Sequence, residues 1–506
     1  MKKYFLPLLL IGFASTFQAC KKDKATTPAT TASGVDKLKD SVFYYAKEDY
    51  YWYSSLPDYN TFNPHSFTGS TDLEALQNEV NKLSQYAINP STGKAYEYYD
   101  GTQAKYSFID DGAASQRLNA VTGDFGFAPI YAGTNDLRVK YVYAGSPAGL
   151  AGLKRGDRIT VINGRTSFPY DNGGPNSKFI IDAYTNSSTI SMTIQHLDGT
   201  TANVNLTTAT YTINPVITSK IITLSNGKKL GYIVFNSFIT LDKAKAPLDA
   251  AFANFQSNGI DELAVDLRYN GGGYVETAEY LCNLIAPAST SGKVMYKAYY
   301  NDILTSKKAV LLRNQVRKSS SGQTYNLYDN IDYSLNANTT TFGTAHGLNL
   351  SRVFFIVTGS TASASELTIN SLRPYLNVQL VGRTTYGKPV GFFDIKIDKY
   401  EMYIPEFETK NANAQGGYYS GMAPGTTDYP GKDAGDDAVH EFGDTSENLL
   451  ANVKYFLENG VYKTATTSVQ SLGGTTSMSV EQQSAMSVSL ESKSDRFKGL
   501  IYQKVK

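Results

Sequence analysis

Residues 354–372 read FFIVTGSTASASELTINSL, an apolar run that stops at Thr358-Gly359-Ser360 and continues, after a string of small residues, in a helix-like pattern. A buried strand, a tight turn and a helix start fit that order. Ser363 and Glu366 also match the S-x-x-E pattern of a capping box, which satisfies unpaired amides at a helix N-terminus. On that reading the serines are structural. A strand-to-helix turn is also where a serine oxygen meets a substrate and where the following amides can hold an oxyanion. The surrounding chain decides between the two.

From about Tyr211 to Tyr462 strand and helix patterns alternate, which predicts an α/β core over 211–462. KKLGYIVFNSF (228–238) reads as a strand, DKAKAPLDAAFANFQSNG (242–259) as a helix stopped by glycine, and DELAVDLRYNGGG (261–273) as a strand running into glycines. Residues 297–346 look like an irregular insertion. Cys282, among helical apolar residues, reads as core. Upstream, 35–111 has aromatic and apolar residues at helical spacing and predicts a helical N-terminal domain with little catalytic content. Short strands and turns then fill 112–210, and a Ser/Thr/Gln-rich stretch at 463–506 predicts a weakly ordered tail.

The 506 residues carry a net charge of +1, so neither a nucleic acid nor a strongly basic partner is implied. The first twenty residues open with two lysines, continue in an apolar run from Tyr4 to Phe13 and end at Cys20, the order of an export signal. A polar Thr/Pro-rich tether at 21–34 follows. No His/Cys/Asp cluster has metal-ligand spacing, and the NGGG at 270–273 lacks the Lys-Ser/Thr of a phosphate loop, so no cofactor is expected.

A serine nucleophile needs a base. The four histidines, His65, His196, His346 and His440, stand in no recognisable triad setting, although His440 has carboxylates near it in DDAVHEFGD. Lys388 is better placed, in a glycine-flanked turn within LVGRTTYGKPVGFFDI (380–395), where Tyr386, Val390 and Phe392 offer apolar walls. Burial of that kind lowers a lysine by several units from about 10.4, enough to free the amine for proton transfer.

Taken together, these stretches resemble the carboxy-terminal processing, or tail-specific, peptidases. Thr361-Ala362-Ser363-Ala364-Ser365-Glu366 matches the family's S-A-S-A-S-E motif, Thr385-Tyr386-Gly387-Lys388-Pro389 its T-F-G-K-G, and Asp266 to Gly273 its D-L-R-x-N-x-G-G. The twenty-five-residue separation of serine and lysine also agrees. The resemblance implies a multidomain α/β protein with a crotonase-like βαβ spiral core and a Ser363–Lys388 dyad. It also implies an oxyanion hole from the amides of Ala364 and Gly273. Ser365 and Glu366 then belong to the helix start, and Arg268 braces the glycine turn or lies at the surface. Within 112–210, Ser146-Pro147-Ala148, Ala151-Gly152-Leu153 and Gly156-Asp157 resemble a PDZ domain. On that likeness Phe125-Gly126-Phe127 is the loop that holds a peptide's terminal carboxylate while the peptide adds to a sheet edge. Cys20 resembles a lipobox cysteine, with Phe17 and Gln18 in place of the usual residues.

Two positions depart from the family. Phe392 stands where many members carry a glutamine that orients the lysine, and Pro389 replaces a glycine and removes an amide. The implied protein is a lipid-anchored envelope endopeptidase acting on protein C-terminal tails. The alternatives are a catalytically silent peptide- or ligand-binding relative on the same fold, and a hydrolase pairing Ser363 with His440.

Overall fold

The computed structural model describes residues 34–319, 321–343, 347–463, 485–486, 490 and 499–501. The expected export signal, Cys20 and all of the tether but Gly34 lie outside the described residues.

At the centre is a six-stranded sheet in the order Val216–Thr223, Lys229–Phe235, Glu262–Asp266, Arg352–Val357, Asn377–Gly382, Gly431–Asp433. The first strand runs antiparallel to its neighbour and every other pair is parallel. Parallel strands are covered on both faces, which is why Val353 to Val357 form one apolar run and are all fully buried. Helix Val275–Ile285 packs against both Leu241–Asn258 and Ala364–Leu372. Helix Asn448–Asn459 lies on the central strands, with Phe456 edge-on to Phe354 at 5.7 Å.

Register decides where the loops meet. Asp266 pairs with Ile356, and Val357 with Gly382, so three adjacent strands leave the sheet on the same side. Loops at the carboxyl ends of parallel strands line the binding crevice of open α/β sheets. Those three loops carry Gly271–Gly273, Ser363 and Lys388.

A second sheet has the order Thr339–Thr341, Val294–Tyr300, Phe407–Asn411, Val390–Gly391. The stretch expected as an irregular insertion therefore contributes ordered strands, one of them zipped to Phe407–Asn411. The N-terminal region is helical, as expected, with Gly34–Asp49 against Asp72–Leu83. It is also joined to the core, because Phe108–Asp110 pairs with Tyr400–Tyr403.

Residues 127–207 form a five-stranded antiparallel meander with an apolar core of its own, including Phe125, Phe127, Val139, Ile159, Ile180 and Tyr184. Met486 and Leu490 are buried in that same core. The rest of the tail expected at 463–506 lies outside the described residues apart from 463, 485 and 499–501.

Candidate active site

Ser363 sits where strand Arg352–Val357 turns into helix Ala364–Leu372, with φ 62° and ψ −111°. That conformation is strained for a residue with a Cβ and persists only where neighbours enforce it. The enforcement is visible. Thr361 Oγ1 donates to the Leu267 carbonyl (2.8 Å), the Ala362 amide to the Asn270 carbonyl (3.1 Å), and Ser365 Oγ to the same Asn270 oxygen (3.0 Å). Glu366 closes its half of the capping box by accepting the Ser363 amide at 2.8 Å. The Ser363 hydroxyl oxygen is different: it is buried with no hydrogen-bond partner among the described residues. Ser363 and Glu366 thus stand in capping-box positions, but the serine hydroxyl makes no cap hydrogen bond, and a buried hydroxyl without one is poorly explained as structure.

Across from it, Asn270 Oδ1 accepts the Gly272 amide at 2.9 Å, and Asn270 Nδ2 donates to the Phe235 carbonyl at 2.8 Å. Gly272 and Gly273 have φ of 101° and 138°. A Cβ on Gly272 would lie 2.9 Å from the Ala364 amide nitrogen, and one on Gly273 2.1 Å from the Phe238 carbonyl oxygen. Only glycine lets this backbone come so close. Ala364, as the first helical residue, has no carbonyl four residues back to accept its N–H. The Gly273 amide is occupied: it donates to the carbonyl of Gly499 at 2.5 Å.

Lys388 is fully buried. Its Nζ stands 3.6 Å from the centre of the Phe392 ring and 5.7 Å from that of Tyr106. Burial pushes the amine well below its ordinary value of 10.5, and the opposing pull of Glu97, Glu406 and Glu366 does not restore it. Burial raises those three carboxyls as well. Phe392, in the position of the family's glutamine, thus offers the amine an aromatic face rather than a hydrogen-bond acceptor. Of the other expected walls, Val390 is buried and Tyr386 half-buried.

Glu366 does more than cap. Its Oε2 accepts the amides of both Ser363 and Lys388 at 2.8 Å, so those two nitrogens lie no more than twice that distance apart. Its Oε1 accepts the Gly387 amide (2.7 Å) and the Thr385 hydroxyl. One carboxylate therefore clamps the serine turn to the lysine turn. No hydrogen bond joins Ser363 Oγ to Lys388 Nζ in this arrangement.

Local sequence did not expose the N-terminal region's share. Glu97 accepts the Tyr50 hydroxyl (2.7 Å) and both the amide and the hydroxyl of Ser107, and Tyr106 OH donates to the Gly387 carbonyl. Lys105 Nζ donates to the Tyr419 carbonyl at 2.9 Å, and burial brings this amine to about 8. In AYEYYDG (95–101) Glu97 looks like a loop carboxylate, and no periodicity marks it otherwise.

The remaining expected residues are more dispersed. Arg268 is buried, not at the surface, and pairs with Asp266 (2.6 Å), Asp436 (2.8 Å) and Glu447 (2.8 Å). Arg155 reaches the same cluster from the meander domain, at 3.3 Å from Asp436 and 2.8 Å from the Tyr269 hydroxyl. His440 pairs with Asp437 at 2.6 Å and is not bonded to Ser363. Cys282 is core, with its thiol directed at the Thr368 carbonyl. Phe125 and Phe127 are buried, and the Gly126 amide donates to Asp124 Oδ1 at 2.8 Å, so a carboxylate of the chain itself already holds that amide.

Peptidase family S41 matches residues 229–403, and a PDZ domain family matches 138–172. The carboxyl-terminal-processing protease of Picosynechococcus sp. is 27% identical over 245 residues, 48% of this chain and 49% of that one. The chain thus spans about half the length of this curated relative. A solved Bacteroides fragilis structure assigned to the S41 proteases shares the fold, with a TM-score of 0.53 and 23% identity, over 86% of this chain and 100% of that one. A photosystem II D1 C-terminal processing protease aligns over 78% of this chain and 92% of its own, with a TM-score of 0.42 and 16% identity. The likeness to peptidase family S41 thus covers the stretch that holds the glycine loop, Ser363 and Lys388, and the likeness to a PDZ domain family covers part of the meander.

Proposed function

We propose that this chain is a serine endopeptidase in which Ser363 is the nucleophile and Lys388 the general base. The observation that carries this reading is the convergence of three loops at one edge of the sheet, with a buried serine hydroxyl that has no hydrogen-bond partner among the described residues and a buried lysine, their two turns tied to a single carboxylate. Lys388 Nζ takes the Ser363 proton as Oγ attacks the scissile carbonyl carbon, and the Gly273 and Ala364 amides hold the oxyanion. The ammonium then returns the proton to the leaving amine. In the second half water attacks the acyl-enzyme, Lys388 again takes a proton, and collapse frees the serine and a new carboxylate terminus. The PDZ domain presents an accessible C-terminal tail of a substrate protein, and lipidation at Cys20 anchors the enzyme in the cell envelope.

Ser363→Ala and Lys388→Ala are each expected to abolish cleavage of an unstructured reporter tail while leaving the unfolding transition in place. Retained cleavage by purified Ser363→Ala rejects the reading. A peptide-holding protein without catalysis is favoured by the missing Ser363–Lys388 hydrogen bond. Covalent labelling by a serine-reactive phosphonate, lost in Ser363→Ala, decides for the enzyme.

A further inference from the structure

The Gly273 amide, one of the two proposed oxyanion donors, is bonded to a peptide carbonyl of the chain itself. Residues 499–501 lie along the glycine loop as an added strand: Gly273 pairs with Leu500 and Tyr274 with Ile501, in parallel. Two backbone bonds fix Gly499, its amide donating to the Gly271 carbonyl (3.1 Å) and its carbonyl accepting from Gly273 (2.5 Å). A Cβ on Gly272 would fall 2.3 Å from that same Gly499 oxygen and 2.9 Å from the Ala364 nitrogen. The carbonyl therefore lies against the turn where both proposed oxyanion amides meet. Thirteen and nine positions upstream of Gly499 the chain is held again. Met486 and Leu490 are buried in the PDZ core with Phe127 and Tyr184, and the Tyr184 hydroxyl donates to the Leu490 carbonyl.

We propose that residues 485–501 are an intramolecular competitor for peptide substrates, seated by Met486 and Leu490 on the PDZ domain and by Gly499 to Ile501 on the Gly271–Tyr274 edge. This rests on the catalytic reading only in naming that edge as the substrate's. Its ligand class follows from the contacts: an extended peptide, taken in parallel through its backbone, with a small residue at the position of Gly499. A substrate must displace Gly499 to reach the Gly273 amide, and the competitor, being part of the same chain, acts at a concentration that does not fall on dilution.

Two full-length variants release it by different routes. Met486→Asp/Leu490→Asp removes the apolar foothold, and Gly499→Pro removes the amide that bonds to Gly271. Each is expected to lower KM for an unstructured fluorogenic peptide about tenfold with little change in kcat. A synthetic peptide of residues 485–501, labelled with a fluorophore, is expected to bind Met486→Asp/Leu490→Asp in the Ser363→Ala background at least tenfold more tightly than it binds Ser363→Ala alone. Unchanged KM in both variants together with equal peptide binding overturns the proposal, even if catalysis is confirmed. Tighter peptide binding with no cleavage by any form leaves the competitor standing and removes the enzyme.

Discussion

Arg268 and Lys388 follow the two strands that flank the strand carrying Ser363, and both are fully buried. Around Arg268 the fold gathers Asp266, Asp436 and Glu447, each within 2.8 Å, and these outweigh burial and keep the guanidinium firmly charged. Lys388 instead meets the face of Phe392, and burial outweighs its carboxylates and drives the amine toward neutrality. One cation is held charged by three carboxylates, and burial shifts the other toward its neutral form. A buried charge needs compensation by partners or it titrates away. The two sites show both outcomes at one edge of a sheet.

The comparison breaks most sharply if both cations are removed in turn. Arg268→Met leaves three buried carboxylates facing an apolar side chain, and a loss of about 3–5 kcal/mol in urea unfolding is expected. Lys388→Met replaces a poorly solvated amine with an apolar chain of similar volume and is expected to raise stability at neutral pH by about 1 kcal/mol. Equal losses in the two variants would contradict the contrast. The next largest effect falls on the clamp. Glu366→Ala orphans the amides of Ser363, Gly387 and Lys388 together with the Thr385 hydroxyl, at a cost of about 2–4 kcal/mol, with kcat falling further than stability explains.

Two separate pH windows follow from the two environments. Arg268 and Arg155 overcome burial and hold Asp436 at about 2. Its contribution is complete above the ordinary carboxylate range and is lost as pH falls from about 4 toward 2. Lys388 gives the same sign in a higher window: between its lowered native value and about 10.4 the unfolded chain binds more protons, so wild-type stability rises with pH relative to Lys388→Met across that window. Chemical unfolding of the pair at stepped pH values measures both. The smallest effect is expected at Phe392. Phe392→Leu keeps the pocket apolar and removes the ring face, so kcat is expected to fall about tenfold, or ~1.4 kcal/mol in the barrier, with KM unchanged. Phe392→Gln, which supplies an acceptor to orient the amine, is expected to recover part of that loss.

What the sequence made legible is what local chemistry encodes. The apolar run before Thr358, the small residues after it and the glycines at 271–273 each impose a turn or a close approach, so the strand ends and the loops they position could be read directly. The motif matches then paired Ser363 with Lys388. Their common tie through Glu366 was half legible, since S-x-x-E gives the cap but not the reach to Gly387 and Lys388. Glu97, Tyr106 and Lys105 were not legible, because their role depends on Phe108–Asp110 pairing with a strand nearly three hundred residues away. The same holds for Val294–Tyr300, paired with Phe407–Asn411, and for Gly499 to Ile501, whose partner strand lies more than two hundred residues away. Arg268 could have been surface or core by pattern alone. Only the arrival of Asp436 and Glu447 from distant loops decides it.

The central claim is that the Lys388 amine is uncharged near neutral pH. The most direct measurement is a titration of its side-chain 13Cε resonance in the intact Ser363→Ala protein, assigned by its absence in Ser363→Ala/Lys388→Ala. A resonance already in the neutral-amine position at pH 7, titrating only at lower pH, is the predicted result; one that stays in the ammonium position up to about pH 10 contradicts the account.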